Sequence, residues 1–451
     1  MGFFKAYDMR GTFGVDFDLD VVYRVGLALP RVVGGTRWLV GRDCRTSSPS
    51  VHDALVKGLC EAGAEVVDLD LCTTPMVYFF TAQDGFDGSV MITASHNPPS
   101  DNGLKVSKRG ALPVGYADGL DQVEKLVAAS TAKYVPDGKP RGTLLAGARE
   151  RYLEWQRTRM PKLDGLRFAV DCSNGMASLL APALFPGAVL LNGELDGSFP
   201  AHSPNPLKDE AREMLARTVR EQGLDCGVIF DGDADRAMFV DEKGEFVQPD
   251  YLIPAVAHAT REAGGGNVQG RLVIHDVRTS RGALEALRRD GFEPVMVPVG
   301  HAFAKPKLRE LQALCGGELA GHYYFSEFFN CDSGVLAATR VLGEIAAAKA
   351  RGETFSQLMA PVTTRYANSG EVNFRVEDKP AAIARVLQCV PNLGHETGRS
   401  DIDGYRIEFS EGWVSVRQSN TEPFLRLLAE CESSERLVEW MKVLKKAILG
   451  E

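Results

Sequence analysis

The stretch Cys226-Gly-Val-Ile-Phe-Asp-Gly-Asp-Ala-Asp-Arg236 places the hardest demand on any fold this chain can adopt. An apolar, strand-forming run ends in three aspartates at alternate positions, Asp231, Asp233 and Asp235, with Arg236 directly after them. Carboxylates held that close repel one another unless a cation sits among them. Oxygen ligands without histidine or thiolate favour Mg²⁺ or Ca²⁺ over zinc. A divalent site at the end of a strand is therefore the first reading, beside the plainer one that aspartates populate turns by bonding nearby backbone amides. A calcium-binding EF-hand loop comes close in spacing, with Asp231, Asp233, Asp235 and Glu242 at positions one, three, five and twelve. It fails at position six, where Arg236 stands in place of the glycine of the sharp turn, and the flanks read as strands where that motif has helices.

At 451 residues the chain exceeds what one hydrophobic core serves, so several domains are expected. A hydrophobic fraction of 44% and a charged fraction of 25% are those of an ordinary globular protein. The formal net charge of -9 argues against nucleic-acid binding and leaves room for local basic clusters around a phosphorylated small molecule. Nine scattered cysteines contain no Cys-x-x-Cys, which suggests neither a zinc site nor a disulfide framework but reduced thiols and a cytoplasmic address. No signal peptide, lipidation motif or membrane-length apolar run is present, so no membrane association is expected. No obligate protein partner is evident either.

Along the chain, strands repeatedly run into polar loops that precede helices, the alternation of an α/β layer fold. Trp38-Leu-Val40 leads into Gly41-Arg-Asp-Cys-Arg-Thr-Ser-Ser-Pro49 and a helix to about Ala62. Gly88-Ser-Val-Met-Ile92 delivers Thr93-Ala-Ser-His-Asn-Pro98, with Ser95 a possible nucleophile and His96 and Lys105 close by. Neighbouring side chains tend to point apart, so Ser95 and His96 do not by themselves make a nucleophile and its base. Pro136-Asp-Gly-Lys-Pro-Arg-Gly142 punctuates a first boundary, a second unit closes after the aspartate loop, and a third begins near Gly244. There Arg271-Leu-Val-Ile-His275 ends close to Arg278, and further on come His301, Glu318 and His322. Glu318, bracketed by glycines, suits a contact to two neighbouring sugar hydroxyls. Near Pro361 the elements shorten, and Trp413-Val-Ser-Val416 runs into Arg417-Gln-Ser-Asn-Thr-Glu-Pro423, a plausible phosphate cradle. An amphipathic helix capped by Ser433 or Ser434 and lined by Leu437, Trp440, Met441, Leu444 and Ile448 closes the chain.

Together, Lys5-Ala-Tyr-Asp-Met-Arg-Gly11, the segments from Gly41, Thr93 and Asp231, Val299-Gly-His301, Gly317-Glu-Leu-Ala-Gly-His322 and Arg417-Gln-Ser-Asn-Thr-Glu-Pro423 resemble the α-D-phosphohexomutase family, in particular its phosphomannomutase/phosphoglucomutase branch. The resemblance runs nearly the whole length. It implies three related α/β mixed-sheet domains and a smaller C-terminal domain of the TATA-box-binding-protein-like type around a central cleft. On this chain they fall at 1–142 (phosphoserine), 143–243 (metal), 244–358 (sugar recognition) and 359–451 (phosphate binding). It further implies that Ser95 is phosphorylated and, with Asp231, Asp233 and Asp235, holds one Mg²⁺. Arg236 then neutralises the transferring group, His96 and Lys105 flank the phosphoserine, and Tyr7 and Arg10 line the cleft. Arg278 lies where close relatives often carry lysine. His301, Glu318 and His322 read the sugar, while Arg417, Ser419, Asn420 and Thr421 grip the phosphate that is not reacting.

The implied reaction interconverts hexose 1-phosphate and hexose 6-phosphate, of mannose, glucose or both, through a hexose 1,6-bisphosphate that serves as primer and intermediate. Moving a phosphoryl group demands positioning and charge neutralisation more than covalent help, which accounts for a metal and a cationic rim in a net-acidic protein. Lys105, His96 and His301 stand unranked as acid and base. Ala320 where relatives commonly carry serine, and Arg278 for lysine, bear on sugar preference. A glucosamine-phosphate mutase of the same family, a metal-dependent phosphatase and a non-catalytic phosphosugar-binding protein are the alternatives.

Overall fold

The computed structural model describes residues 2–139, 141–264, 270–419 and 423–451. Four sheets succeed one another along the chain. In the first, Met9–Thr12, Asp101–Lys108, Gly88–Ile92, Arg37–Arg42, Glu65–Leu71 and Thr143–Leu144 lie side by side, and Leu112–Pro113 adds to Asp101–Lys108. The second runs Phe246–Val247, Ala237–Asp241, Cys226–Phe230, Phe168–Asp171, Val189–Leu191. The third runs Glu293–Val297, Leu272–Asp276, Cys315–Gly317, Tyr323–Phe325, Cys331–Asp332.

One arrangement recurs in all three. A strand pairs in parallel with a second, which folds back through a loop into an antiparallel third. The sets are Arg37–Arg42, Gly88–Ile92, Asp101–Lys108 in the first sheet; Phe168–Asp171, Cys226–Phe230, Ala237–Asp241 in the second; and Leu272–Asp276, Cys315–Gly317, Tyr323–Phe325 in the third. The middle strands are wholly buried. Burial on both faces explains why they read as continuous apolar or glycine runs without alternation. Each hairpin loop, 93–100, 231–236 and 318–322, carries residues singled out from the sequence, so the three units present their chemistry from equivalent positions.

The fourth sheet is antiparallel throughout. Helices Lys379–Cys389 and Ser434–Leu449 cover it, with Val386, Trp440, Leu444 and Ile448 in a shared core with Val414, Val416 and Leu427. Ser433 caps the last helix by accepting from the Arg436 amide, and the five residues assigned to its apolar face are all buried. No helix among the described residues is long and apolar enough to cross a membrane.

Sheet pairing runs past two of the boundaries expected from turn punctuation. Thr143–Leu144 joins Val67 and Asp68 at the edge of the first sheet, and Phe246–Val247 joins Phe239 and Val240 at the edge of the second. In both cases the chain passes a Gly-rich turn and still returns for one short edge pairing. Turn residues mark a change of direction, and the end of a unit is decided by where the backbone hydrogen bonds go.

Within the second unit, Asp171 closes its strand and binds the next turn. Its carboxylate accepts from the Ser173 amide at 2.8 Å and from Asn192 Nδ2 at 3.0 Å, and it meets His202 Nε2 at 3.2 Å. Burial alone would depress the His202 imidazolium, but the hydrogen bond and charge of Asp171 outweigh it and raise the pKa above the ordinary histidine value. Such a pair stabilises the fold fully below the unfolded histidine pKa of about 6.5 and loses that contribution as pH rises through the folded value. His202→Gln is therefore expected to destabilise the chain by ~1–3 kcal/mol in denaturant titrations near pH 6, with the deficit shrinking towards pH 9. A deficit independent of pH would show that the histidine acts by packing alone.

Candidate active site

The first loop is held from below by a buried arginine. Arg45, fully buried, donates to the carbonyls of Ser95 at 2.9 Å, Asn97 at 2.8 Å, Pro98 at 2.6 Å and Asp101 at 3.0 Å. Asp43 balances its charge at 3.1 Å. Thr93 Oγ1 accepts from the Ser95 amide at 2.8 Å, and Ser95 adopts φ 51°, a left-handed conformation that non-glycine residues seldom take. This conformation corrects the expectation that Ser95 and His96 diverge. His96 Nδ1 lies 3.3 Å from Ser95 Oγ, because the backbone reversal turns the two side chains to the same side.

The aspartate loop meets this serine. Ser95 Oγ donates to Asp231 Oδ2 at 2.7 Å. Asp231, Asp233 and Asp235 are all buried, and each offers an oxygen within 4.8 Å of the others'. Lys105, from the strand after the serine loop, bonds Asp233 Oδ2 at 2.8 Å and Asp235 Oδ2 at 2.6 Å. Thr74 Oγ1 adds a bond to Asp233 Oδ2 at 2.7 Å. Two carboxylate oxygens, Asp233 Oδ1 and Asp235 Oδ1, are buried without a hydrogen-bond partner among the described residues. Oxygens left over in a crowded carboxylate cluster are the donor set a hard divalent cation takes, so these residues fit a metal.

The charges sort accordingly. Burial, then Asp235 and Asp233, push the Asp231 carboxyl well above the usual carboxylate range. Burial acts on Asp233 in the same sense, but the Lys105 ammonium overrides it and holds that carboxyl low. Burial would depress Lys105, yet Asp233 and Asp235 raise its pKa and hold the ammonium between them. Burial, followed by Arg236 and Arg10, holds the His96 imidazole neutral, with a pKa well below the ordinary histidine value.

The Arg236 amide donates to Asp231 Oδ1 at 3.2 Å, while its side-chain Nε lies 3.9 Å from Asp231 and 3.8 Å from Asp235, too far for hydrogen bonds, and is buried without a partner among the described residues. Arg10 donates to Ala94 O at 3.2 Å and Asn97 Oδ1 at 3.1 Å and pairs with Asp8 at 2.6 Å. Tyr7 reaches across to the third unit, donating to Val299 O at 3.1 Å, and its ring meets His301 edge-on. His301 starts helix His301–Leu311; its Nδ1 is buried without a partner among the described residues, and burial and Lys305 keep it neutral.

Glu318 is 2% exposed and accepts from Tyr324 Oη at 2.7 Å and the Gly300 amide at 3.3 Å. His322 approaches Asp235 Oδ1 at 3.7 Å, tying the third loop to the second. Arg278 is held by Asp276 at 2.6 Å and reaches Glu371 of the fourth unit at 3.5 Å. Arg417, 3% exposed, also reaches Glu371 at 3.5 Å, and Asp403 at 3.7 Å. Asp403 in turn accepts from the Val299 amide at 3.0 Å, so the fourth unit touches the third at the cleft. The Ser419 amide bonds Phe424 O at 2.9 Å, whereas Asn420 and Thr421 lie outside the described residues.

Arg45, Thr74, Asp276, Glu371 and Asp403 hold the site together, and sequence reasoning assigned them no role. Arg45 alone had a signal, its place in the Gly41 to Ser48 motif.

Residues 1–133, 150–244, 248–366 and 371–446 match, in turn, α/β/α domains I, II and III and the C-terminal domain of phosphoglucomutase/phosphomannomutase. The chain belongs to the phosphoglucomutase/phosphomannomutase family. It is 36% identical over 446 residues to a Xanthomonas campestris pv. campestris protein named for phosphohexose mutases, covering 97% of this chain and 96% of that one. A crystal structure of a family member from Burkholderia thailandensis superposes with a TM-score of 0.85 at 30% identity, covering 100% of this chain and 97% of that chain. An Aspergillus fumigatus N-acetylphosphoglucosamine mutase, solved with GlcNAc-6P and magnesium, shares the fold at a TM-score of 0.61 and 14% identity, over 95% of this chain and 96% of that one. Family membership makes the chain an isomerase of hexose phosphates, and the loops described above are where four such domains meet.

Gly232 lets the two central loops touch: a Cβ there would lie 2.5 Å from the Ser95 carbonyl oxygen. Gly232→Ala must part the loops by a few tenths of an ångström or more. Turnover is expected to fall ~10–100-fold with circular dichroism unchanged; wild-type turnover would mean the contact has slack.

Proposed function

We propose that this chain interconverts the 1- and 6-phosphates of mannose, glucose or both, with Ser95 as phosphoryl carrier. The observation that carries the reading is the meeting of Ser95 Oγ and Asp231 at 2.7 Å beside two unpartnered carboxylate oxygens. Asp231, Asp233 and Asp235 would hold one Mg²⁺ together with the Ser95 phosphate, and the ion would supply charge neutralisation for the transferring group.

The chain's own residues do the rest. Arg236, with its unpartnered Nε, offers a donor to the same group. A sugar hydroxyl attacks the phosphorus of phosphoserine as the bond to Ser95 Oγ breaks. Its proton goes to an imidazole of the cleft, a role open to His96, His301 and His322 and closed to Lys105, whose ammonium is committed to Asp233 and Asp235. The product is a hexose 1,6-bisphosphate, which turns over and returns its other phosphate to Ser95. The same bisphosphate primes unphosphorylated enzyme. Glu318 reads the sugar with His301 and His322, and Arg417, Ser419, Asn420 and Thr421 receive the distal phosphate.

Arg278, Tyr7 and Arg10 complete the rim. Because Arg278 presents a fork where lysine presents a point charge, and Ala320 lacks a hydroxyl, sugar choice is expected to differ from that of lysine- and serine-bearing relatives. The reading takes units divided near residues 142, 243 and 358 and a cytoplasmic enzyme acting on a phosphorylated hexose alone; nine free thiols suit that compartment.

Intact-mass measurement after incubation with glucose 1,6-bisphosphate and Mg²⁺ tests the reading. One phosphate is expected per chain, absent from Ser95→Ala, which is expected to lose at least ~10⁴-fold in isomerisation. A Ser95→Ala enzyme that still isomerises would overturn it. Inorganic phosphate as the main product would favour a phosphatase, and equal rates on glucosamine phosphates would move the substrate assignment.

A further inference from the structure

A chain of buried charges stands behind His322 and has no part in the site as described so far. His322 Nδ1 lies 2.7 Å from Asp332 Oδ2. The other oxygen of Asp332 pairs with Lys305 Nζ at 2.8 Å. Lys305 in turn sits 3.5 Å above the centre of the Tyr78 ring, which belongs to the first unit. None of these groups is on the surface: His322 is 5% exposed, Asp332 0% and Lys305 1%. The imidazole is further fixed by stacking on Tyr324, and its backbone bridges that of Arg236, so the ring is carried directly beside the aspartate loop.

Burying an ammonium and a carboxylate costs several kcal/mol per ion and is often no better than packing apolar side chains of the same volume. Its function here follows from what each partner does to the next. Lys305 Nζ pairs with one carboxylate oxygen of Asp332, and the other oxygen faces His322 Nδ1. An ionised carboxylate only accepts hydrogen bonds. Nδ1 of His322 must then be the nitrogen that carries a proton, and Nε2 is left as the one lone pair on the ring. No other histidine of the cleft has this support. His301 Nδ1 has no partner among the described residues, and His96 Nδ1 is 3.3 Å from Ser95 Oγ itself.

We propose that Asp332, anchored by Lys305, is a positioning residue of the mutase: it fixes the tautomer and ring orientation of His322 so that Nε2 accepts a hydrogen bond from a sugar hydroxyl. The inference rests on the mutase reading above and assigns Asp332 no contact with substrate. In the transfer step the hydroxyl oxygen bonds to phosphorus, the phosphorus bond to Ser95 Oγ breaks, and the hydroxyl proton passes to Nε2. Asp332 keeps its charge throughout and stabilises the imidazolium formed. The sugar comes to the same loop through Glu318, four residues before His322.

The test is a double-mutant cycle on the full-length protein with Mg²⁺ and glucose 1,6-bisphosphate. Asp332→Asn presents an amide that can donate to Nδ1 and so favours the opposite tautomer. Its kcat is expected to fall about 100-fold or more, with KM for the sugar phosphate and the Mg²⁺ dependence little changed. In a His322→Gln background the same substitution should cost nothing further, because the group it acts through is gone. Wild-type kcat in a folded Asp332→Asn protein, or losses that multiply in the double variant, would overturn the proposal. If Asp332→Asn does not fold, Lys305→Gln and Lys305→Arg replace it. The first should lower kcat about 10-fold, the second should restore it, and neither should matter without His322; losses that persist without His322 would again overturn the proposal. Failure of the mutase reading would look different, since wild-type protein would then not isomerise at all.

Discussion

The Lys105 ammonium between Asp233 and Asp235 is the interaction on which the rest of the structure depends. Three aspartates within one short loop, all buried, would drive that loop apart or towards water. A lysine delivered by a neighbouring sheet removes the difficulty and at the same time fastens the first unit to the second. The hydrogen bond from Ser95 to Asp231 and the bond from Thr74 to Asp233 lie along the same seam. One charge cluster therefore joins two units, places the serine, and leaves unpartnered the two carboxylate oxygens that suit a cation.

The repeated strand pair and hairpin explains how distant residues arrive together. Each of the first three units sends its hairpin loop from the same place in its sheet, so serine, aspartates and the Glu318 to His322 segment occupy equivalent stations. Rigid, buried middle strands set their directions. The loops themselves are pinned by groups outside them: Arg45 under the serine loop, Lys105 on Asp233 and Asp235, and Asp276 accepting from the Leu319 amide at 3.1 Å. Preorganisation of this kind suits phosphoryl transfer, in which the protein contributes position and field more than covalent chemistry.

Much of the site was legible because its residues keep company along the chain. Asp231, Asp233, Asp235 and Arg236 are one word in the sequence, and Ser95, His96 and Lys105 fall within a dozen positions. Partners far apart in sequence were not legible. Arg45 stands in a motif that does not show what it binds, Asp332 and Lys305 carry no motif, and Glu371 is an ordinary glutamate just before a strand until Arg278 and Arg417 come to it. The relation of Ser95 to His96 was read the wrong way, because alternation of adjacent side chains presumes extended backbone and φ at Ser95 is 51°. Edge strands at 143–144 and 246–247 were missed for a related reason: two residues are too few to show a period, and only a neighbour's free edge makes them strands.

The sequence by itself determined the strand and loop alternation, the apolar middle strands, the closing helix and which residue types stand at each strand end. These follow from periodicity, turn chemistry and local charge, all of which act over a few residues. The tertiary structure alone decided which charges neutralise one another, which carboxylate oxygens are left unpartnered among the described residues, and that Lys105 pairs with Asp233 and Asp235. Burial and Coulomb interactions act through space, and the distances that govern them are set only when four sheets pack.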